Sequence, residues 1–174
     1  HRHYSLNNKK ILITGGSGLI GRALTEALVK QGHEVAWLSR KADPTAPIPR
    51  FFWDAKAQRI DDRALEGTNI IIHLAGAGIA DKAWTDARKK ELIQSRTLGS
   101  YFLAKVLHDA DHQVEHYISA SGIGYYGAQT SDHIFTESDP PYSDFVSQIC
   151  QQWEESVSDI ADLGIQTAIL RTGV

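Results

Sequence analysis

The sequence predicts an α/β fold, a doubly wound parallel sheet with helices on both faces. Two observations carry this expectation. Short apolar runs fit for buried strands alternate with longer segments of helical spacing, the pattern of βαβ units with right-handed crossovers. Between the first such strand and the first such helix stands Thr14-Gly15-Gly16-Ser17-Gly18-Leu19-Ile20-Gly21. A glycine-rich turn at that junction lets backbone N–H groups approach a pyrophosphate at a helix N-terminus.

The elements follow in chain order. Residues 1–8, His-Arg-His-Tyr-Ser-Leu-Asn-Asn, lack periodicity and read as a polar arm or tag remnant outside the fold. Residues 9–174 read as one dinucleotide-binding domain. Lys9 to Ile13 is the first strand, and Ala23 to Val29 carries the first helical spacing. His33 to Leu38 is the second strand, and Lys41 to Arg50, with three prolines, is a loop. Phe51 to Trp53 is a short third strand, Asp61 to Leu65 a short helix, and Asn69 to Leu74 a buried strand. Trp84 to His108 has helical spacing through Leu92, Ile93, Phe102, Leu103 and Val106. Val114 to Ser119 is the next strand, Asp144 to Leu163 the next helix, and Ile165 to Leu170 the last strand. A domain seldom finishes four residues after a buried strand, so a further segment is expected after Val174.

Composition narrows the function. The chain has 174 residues and a formal net charge of -3, with an ordinary apolar fraction. Neither nucleic acid nor an anionic membrane is favoured, because both select a basic stripe. No run is long enough to span a bilayer. The lone cysteine, Cys150, excludes an internal disulfide framework, and with no signal peptide the expected location is cytoplasmic. A small-molecule partner is the reading that remains. The spacing of His108, His112 and His116 suits a metal only on one continuous helix. A break is expected at Asp111 to Val114, so no metal site is assigned.

In a doubly wound sheet the ligand lies beyond the carboxyl ends of the strands. Four stretches fall there: Gly15 to Gly21, Ala75 to Ile79, Ser119 to Gly127, and Arg171 to Val174. The residue after the second strand discriminates between cofactors, since a carboxylate holds a ribose 2′-hydroxyl and a basic group accommodates a 2′-phosphate. Ser39-Arg40-Lys41 stands there, with no carboxylate before Asp43. NADP is therefore favoured over NAD, and the competing reading is a solvated basic loop. Candidate cofactor contacts are Gly15, Gly16, Ser17, Gly18, Leu19, Ile20, Gly21, Ser39, Arg40, Lys41, Leu74, Ala75, Gly76 and Arg171. Asp54, at the end of the third strand, is either an adenine contact or an ordinary turn aspartate.

Together these motifs resemble the extended short-chain dehydrogenase/reductase superfamily, in its NAD(P)-dependent epimerase/dehydratase group, from about Lys10 to Val174. Three strings are similar to one branch, sugar-nucleotide epimerases of unassigned substrate also labelled cell-division inhibitor-like. They are His73-Leu74-Ala75-Gly76-Ala77-Gly78-Ile79-Ala80-Asp81-Lys82-Ala83-Trp84-Thr85, Ser119-Ala120-Ser121-Gly122-Ile123-Gly124-Tyr125-Tyr126-Gly127 and Leu170-Arg171-Thr172-Gly173-Val174. The resemblance implies a Rossmann fold binding NAD(P), whose substrate lobe is largely absent from this chain. It implies an oxidoreductase-type protein exchanging hydride with a carbohydrate-like or nucleotide-sugar substrate. The alternative is a non-catalytic NADP(H)-binding sensor or scaffold.

The superfamily's reaction uses a serine, a tyrosine, a lysine and an asparagine. Ser121 matches the serine, while by spacing the tyrosine and lysine positions fall on Val146 and Cys150 and the asparagine position on Arg96. Valine has no proton to give, and a thiol lacks the fixed charge that depresses a phenol's pKa from about 10. These departures resemble the branch as well. Tyr125 or Tyr126 could then supply the acid/base with Arg96 supplying charge, or both could simply pack their loop. Cys150 is either a nucleophile or a small apolar residue on an amphipathic helix.

Overall fold

The computed structural model describes residues 8–74, 86–121 and 154–171. Its elements are β1 (Lys10–Thr14), α1 (Leu19–Lys30), β2 (Glu34–Ser39), β3 (Arg50–Asp54), β4 (Arg59–Ile60), β5 (Ile70–His73), α2 (Asp86–Asp109), β6 (His116–Ser121) and β7 (Gln166–Arg171). Residues 154–161 are helical, and a 3-10 turn occupies Asp62–Leu65.

The strands form one sheet in the order β4-β3-β2-β1-β5-β6-β7. Among the described strands only the β3–β4 pair is antiparallel. From β1 the chain steps outward to β2 and β3, then returns to β5 on the other side of β1. The switch point lies between β1 and β5. Doubly wound sheets bind ligands there.

Strand alternation divides the core. Ile11, Ile13, Val35, Trp37, Ile72 and Leu74 face α1, where Leu24 and Leu28 cover them. Leu12, Ala36, Leu38, Ile71 and Tyr117 face the other way, under Phe102, Leu103 and Leu107 of α2 and Val157 and Ile160. Strands buried on both faces read as unbroken apolar runs, which is why β1, β2 and β5 are legible.

The boundaries differ from expectation in instructive places. Helix α1 begins at Leu19 rather than near Ala23, because extended Gly18 is its N-cap and its carbonyl already accepts the Arg22 N–H at 2.9 Å. Strand β6 starts at His116 rather than Val114, since His112 organises the preceding turn. Its Nε2–H donates to the Leu107 carbonyl at 3.0 Å, and its Nδ1 accepts the Val114 N–H at 3.0 Å. The short helix after β4 is a 3-10 turn capped by Asp61, which accepts the Arg63 N–H at 2.9 Å. The Arg63 side chain bonds the same carboxylate, and chiefly for that reason the Asp61 carboxyl titrates below its ordinary range. Strand β4 was not expected, and two residues carry too little pattern to read. Of the expected helix Asp144 to Leu163, residues 144–153 lie outside the described residues.

Candidate functional site

Because β1, β5, β6 and β7 are parallel, their carboxyl ends share one edge of the sheet. That edge carries Gly15 after β1, Leu74 after β5, and Ser121 and Arg171, which are register partners at the ends of β6 and β7. The Ser39-Arg40-Lys41 segment ends β2 on the same edge. Residues assigned to one site from separated stretches are thus gathered by topology alone. Arg96 lies within α2, one turn before Gly99. Ala75, Gly76, Tyr125, Tyr126, Val146 and Cys150 lie outside the described residues.

The glycines of the turn act for three different physical reasons. Gly15 has φ +71°, a left-handed conformation that any side chain would strain. At Gly16 φ is unexceptional, but an added Cβ would collide with the indole of Trp37. Gly21 sits where α1 passes over the turn, and a Cβ there would meet the Gly15 carbonyl oxygen and lie 2.6 Å from Gly16 Cα. The turn is closed by the Gly18 N–H donating to the Gly15 carbonyl at 3.3 Å. Among the described residues no side chain caps the α1 N-terminus, and its first turn contains no acidic residue. Unpaired N–H groups and the positive end of the helix dipole are therefore left facing the edge, as a bound pyrophosphate requires.

Behind the turn, Trp37 holds α1 in place. Its Nε1–H donates to Thr25 Oγ1 at 3.0 Å, and the Thr25 hydroxyl donates to the Gly21 carbonyl at 2.7 Å. Trp37 also receives the Arg50 guanidinium over its ring, 5.2 Å from the centroid.

On the β5 side, the Leu74 N–H donates to both the Thr14 carbonyl, at 3.1 Å, and Thr14 Oγ1, at 3.0 Å. The Thr14 hydroxyl pairs with His73 Nδ1 at 2.8 Å. Both residues are buried. The His73 ring stacks near Tyr117, meets the edge of Trp53, and abuts Gly99 so closely that a Cβ would come 2.8 Å from Cε1. His73 is thereby held in the interior by its bond to Thr14 and by packing against Tyr117, Trp53 and Gly99.

The segment expected to discriminate between cofactors is solvent-facing. Ser39 Oγ accepts the Lys41 N–H at 3.1 Å, which bends the chain away from β2. Arg40 and Lys41 are exposed and have no ion-pair partner among the described residues. Asp54 accepts the Ala57 N–H at 3.1 Å, as a turn aspartate does.

Deeper in the sheet, Tyr117 is fully buried, with its hydroxyl 3.3 Å from Ser100 Oγ. Ser100 in turn bonds Ser156. Burial drives the Tyr117 phenol far above its ordinary range, only partly offset by hydrogen bonds from Ser100 and Ser119. It is a neutral structural group rather than an acid/base. Among the described residues no three or more His, Cys, Asp or Glu side chains gather as metal ligands, and none of the helices is long and apolar enough to cross a membrane.

Sequence reasoning missed Trp37, Thr25 and Arg50. The sequence carries no signal for them: only the structure shows that Gly16 needs no special φ and is glycine because Trp37 lies against it.

Comparison with known proteins fits this geometry. Residues 11–157 match the model of the NAD dependent epimerase/dehydratase family. An epimerase family protein of Mycobacterium bovis is 34% identical over 167 residues, covering 96% of this chain and 54% of that protein. A solved nucleoside-diphosphate sugar epimerase from Corynebacterium glutamicum is 35% identical with a TM-score of 0.68, covering 96% of this chain and 34% of the other. The human epimerase family protein SDR39U1, solved with NADPH, is 30% identical with a TM-score of 0.65, covering 95% of this chain and 54% of its own. The chain spans about half the length of the curated relatives it matches.

Proposed function

This chain belongs to the NAD dependent epimerase/dehydratase family, and from that premise we propose that it binds NADP(H) and supports hydride exchange with a carbohydrate-like, nucleotide-linked substrate. The observation that carries the cofactor reading is the pairing of the Gly15–Gly21 cradle with a basic, carboxylate-free segment after β2. A carboxylate there would repel a 2′-phosphate, whereas Arg40 offers it a planar fork of donors. The NADPH seen with the human relative supports the same choice.

When bound, the dinucleotide supplies hydride transfer at its nicotinamide. This chain's residues bind and orient. The turn N–H groups hold the pyrophosphate, Arg40 and Lys41 the 2′-phosphate, and Leu74 with the following Ala75 and Gly76 line the nicotinamide side. Ser121, at the end of β6 beside Arg171, holds the substrate's carbonyl oxygen. Tyr125 or Tyr126 moves the proton, with Arg96 as the positive charge, because Val146 cannot do so and Cys150 carries no fixed charge. Turnover of a working substrate by the Tyr125→Phe and Tyr126→Phe variants tests this. Full activity in both would place the proton transfer elsewhere.

The second reading is a cytoplasmic redox-state sensor without turnover, favoured by Val146 and Cys150 at the positions of the usual tyrosine and lysine. Separate titrations with NADPH and NADP⁺ distinguish the two. Strong preference for one redox state with no hydride exchange across a nucleotide-sugar panel supports the sensor. Stereospecific exchange supports the enzyme.

A further inference from the structure

Beside the glycine turn, α1 and the end of the β2–β3 connection enclose an open cleft of about 560 Å³ with Trp37 in its lining. The connection starts at Arg40 on the carboxyl edge and descends to Arg50, the register partner of Trp37. One wall is Ala46, Pro47, Ile48 and Arg50 of this connection, whose first residues stand where the 2′-phosphate is expected. The other wall is the first two turns of α1, including Leu19, Arg22 and Glu26.

The charges in this cleft are arranged against the stability of the empty fold. Arg22 sits in the first turn of α1, where a cation opposes the helix dipole. Its Nε–H donates to the Ser17 carbonyl at 2.8 Å, which holds the guanidinium against the outside of the glycine turn. Glu26 lies one turn deeper, yet no ion pair joins it to Arg22 among the described residues. Arg50 lies over Trp37 with its Nε buried and without a hydrogen-bond partner among the described residues. An unmet buried donor is costly and calls for an acceptor. Two arginines and one carboxylate thus line the cleft, and the connection that forms one of its walls leaves the carboxyl edge at Arg40.

We propose that Arg22 is a further residue selecting for a 2′-phosphorylated dinucleotide, gripping from α1 the phosphate that Arg40 and Lys41 meet from the end of β2, above a cleft made positive by Arg50. This rests on the NADP reading above and sharpens it. Arg40 and Lys41 supply charge from a solvent-exposed loop. Arg22, anchored at Ser17, supplies a further charge from a helix, with less freedom to lose on binding.

The test is calorimetric titration of the wild type, Arg22→Gln, Arg22→Lys and Arg40→Gln with NADPH and NADH. The fragments 2′,5′-ADP and 5′-ADP serve as probes lacking nicotinamide. Loss of a charge-assisted contact at an exposed site should weaken NADPH and 2′,5′-ADP about tenfold in Arg22→Gln. NADH and 5′-ADP should be unchanged, and Arg22→Lys should recover part of the loss. Equal weakening of NADPH and NADH would overturn the proposal by assigning Arg22 to the pyrophosphate, and no weakening of either would overturn it outright. A wild type that binds NADPH no better than NADH would instead overturn the NADP reading, and this inference with it.

Discussion

Gly16 offers the sharpest test of how the cofactor cradle is built. Its φ lies outside the left-handed region, so alanine is allowed by the backbone, and the nearest obstacle is the Trp37 indole. That ring cannot swing aside freely. It is nearly buried, its Nε1–H is held by Thr25, and Arg50 lies over it. Gly16→Ala should therefore cost about 1–3 kcal/mol for overpacking. It should cost about 1 kcal/mol more if the ring gives up its bond to Thr25. Trp37→Leu removes the obstacle at its own cost of about 2–4 kcal/mol for lost packing. In that background Gly16→Ala should be neutral, or stabilising by about 0.4–1 kcal/mol through the unfolded chain. A double-mutant cycle in urea, read by far-ultraviolet circular dichroism, should give a coupling energy of about 2 kcal/mol. The reasoning fails if Gly16→Ala costs the same in both backgrounds, for then something other than the indole requires glycine.

Gly21→Ala should behave in the opposite way, destabilising by about 1–3 kcal/mol with no rescue from Trp37→Leu, because the atoms in its path are backbone of Gly15 and Gly16. Urea midpoints of the same variants decide this. Gly99→Ala, inside α2, would ordinarily gain about 1 kcal/mol of helix propensity. Here a Cβ would lie 2.8 Å from His73 Cε1 and 3.2 Å from Trp53 Cη2, so a net loss is expected, and a raised melting temperature would refute it. Tyr117 gives a pH dependence. Its folded phenol titrates far above the unfolded value of about 10, so its contribution is whole below pH 10 and is lost as pH rises, when only the unfolded chain ionises. The wild type should lose up to about 1.4 kcal/mol per pH unit more than Tyr117→Phe above pH 10, and parallel stability curves would exclude that ionisation.

How far the sequence reached depended on whether the cause was local. The parallel sheet was legible because β1, β2 and β5 are buried on both faces, and burial writes itself as an apolar run. The glycine turn was legible because Gly15 needs its φ, a property of one residue. Strand β4 was not, since Arg59 and Ile60 pair with β3 through tertiary placement and carry no pattern of their own. The start of β6 was misjudged for a related reason: His112 spends both ring nitrogens on the Leu107 carbonyl and the Val114 N–H, an interaction that spacing does not encode. What looked like one member of a histidine series is a turn-builder.

The same distinction separates the two halves of the candidate site. The proposed dinucleotide contacts rest on backbone geometry at one strand–helix junction and on charge at the next strand's end, both contiguous in sequence. The support beneath it is not contiguous. Trp37 fixes α1 through Thr25 and Gly21, and Thr14 ties the ends of β1 and β5 through Leu74 and His73. Each link joins residues from different elements, and each closes on the residues flanking the pyrophosphate turn. A perturbation at Trp37 or His73 should consequently register as altered cofactor affinity, although neither residue is assigned a cofactor contact. Catalytic assignment asks more, because it depends on which hydroxyl and which cation meet Ser121, a three-dimensional meeting that no single stretch of sequence specifies.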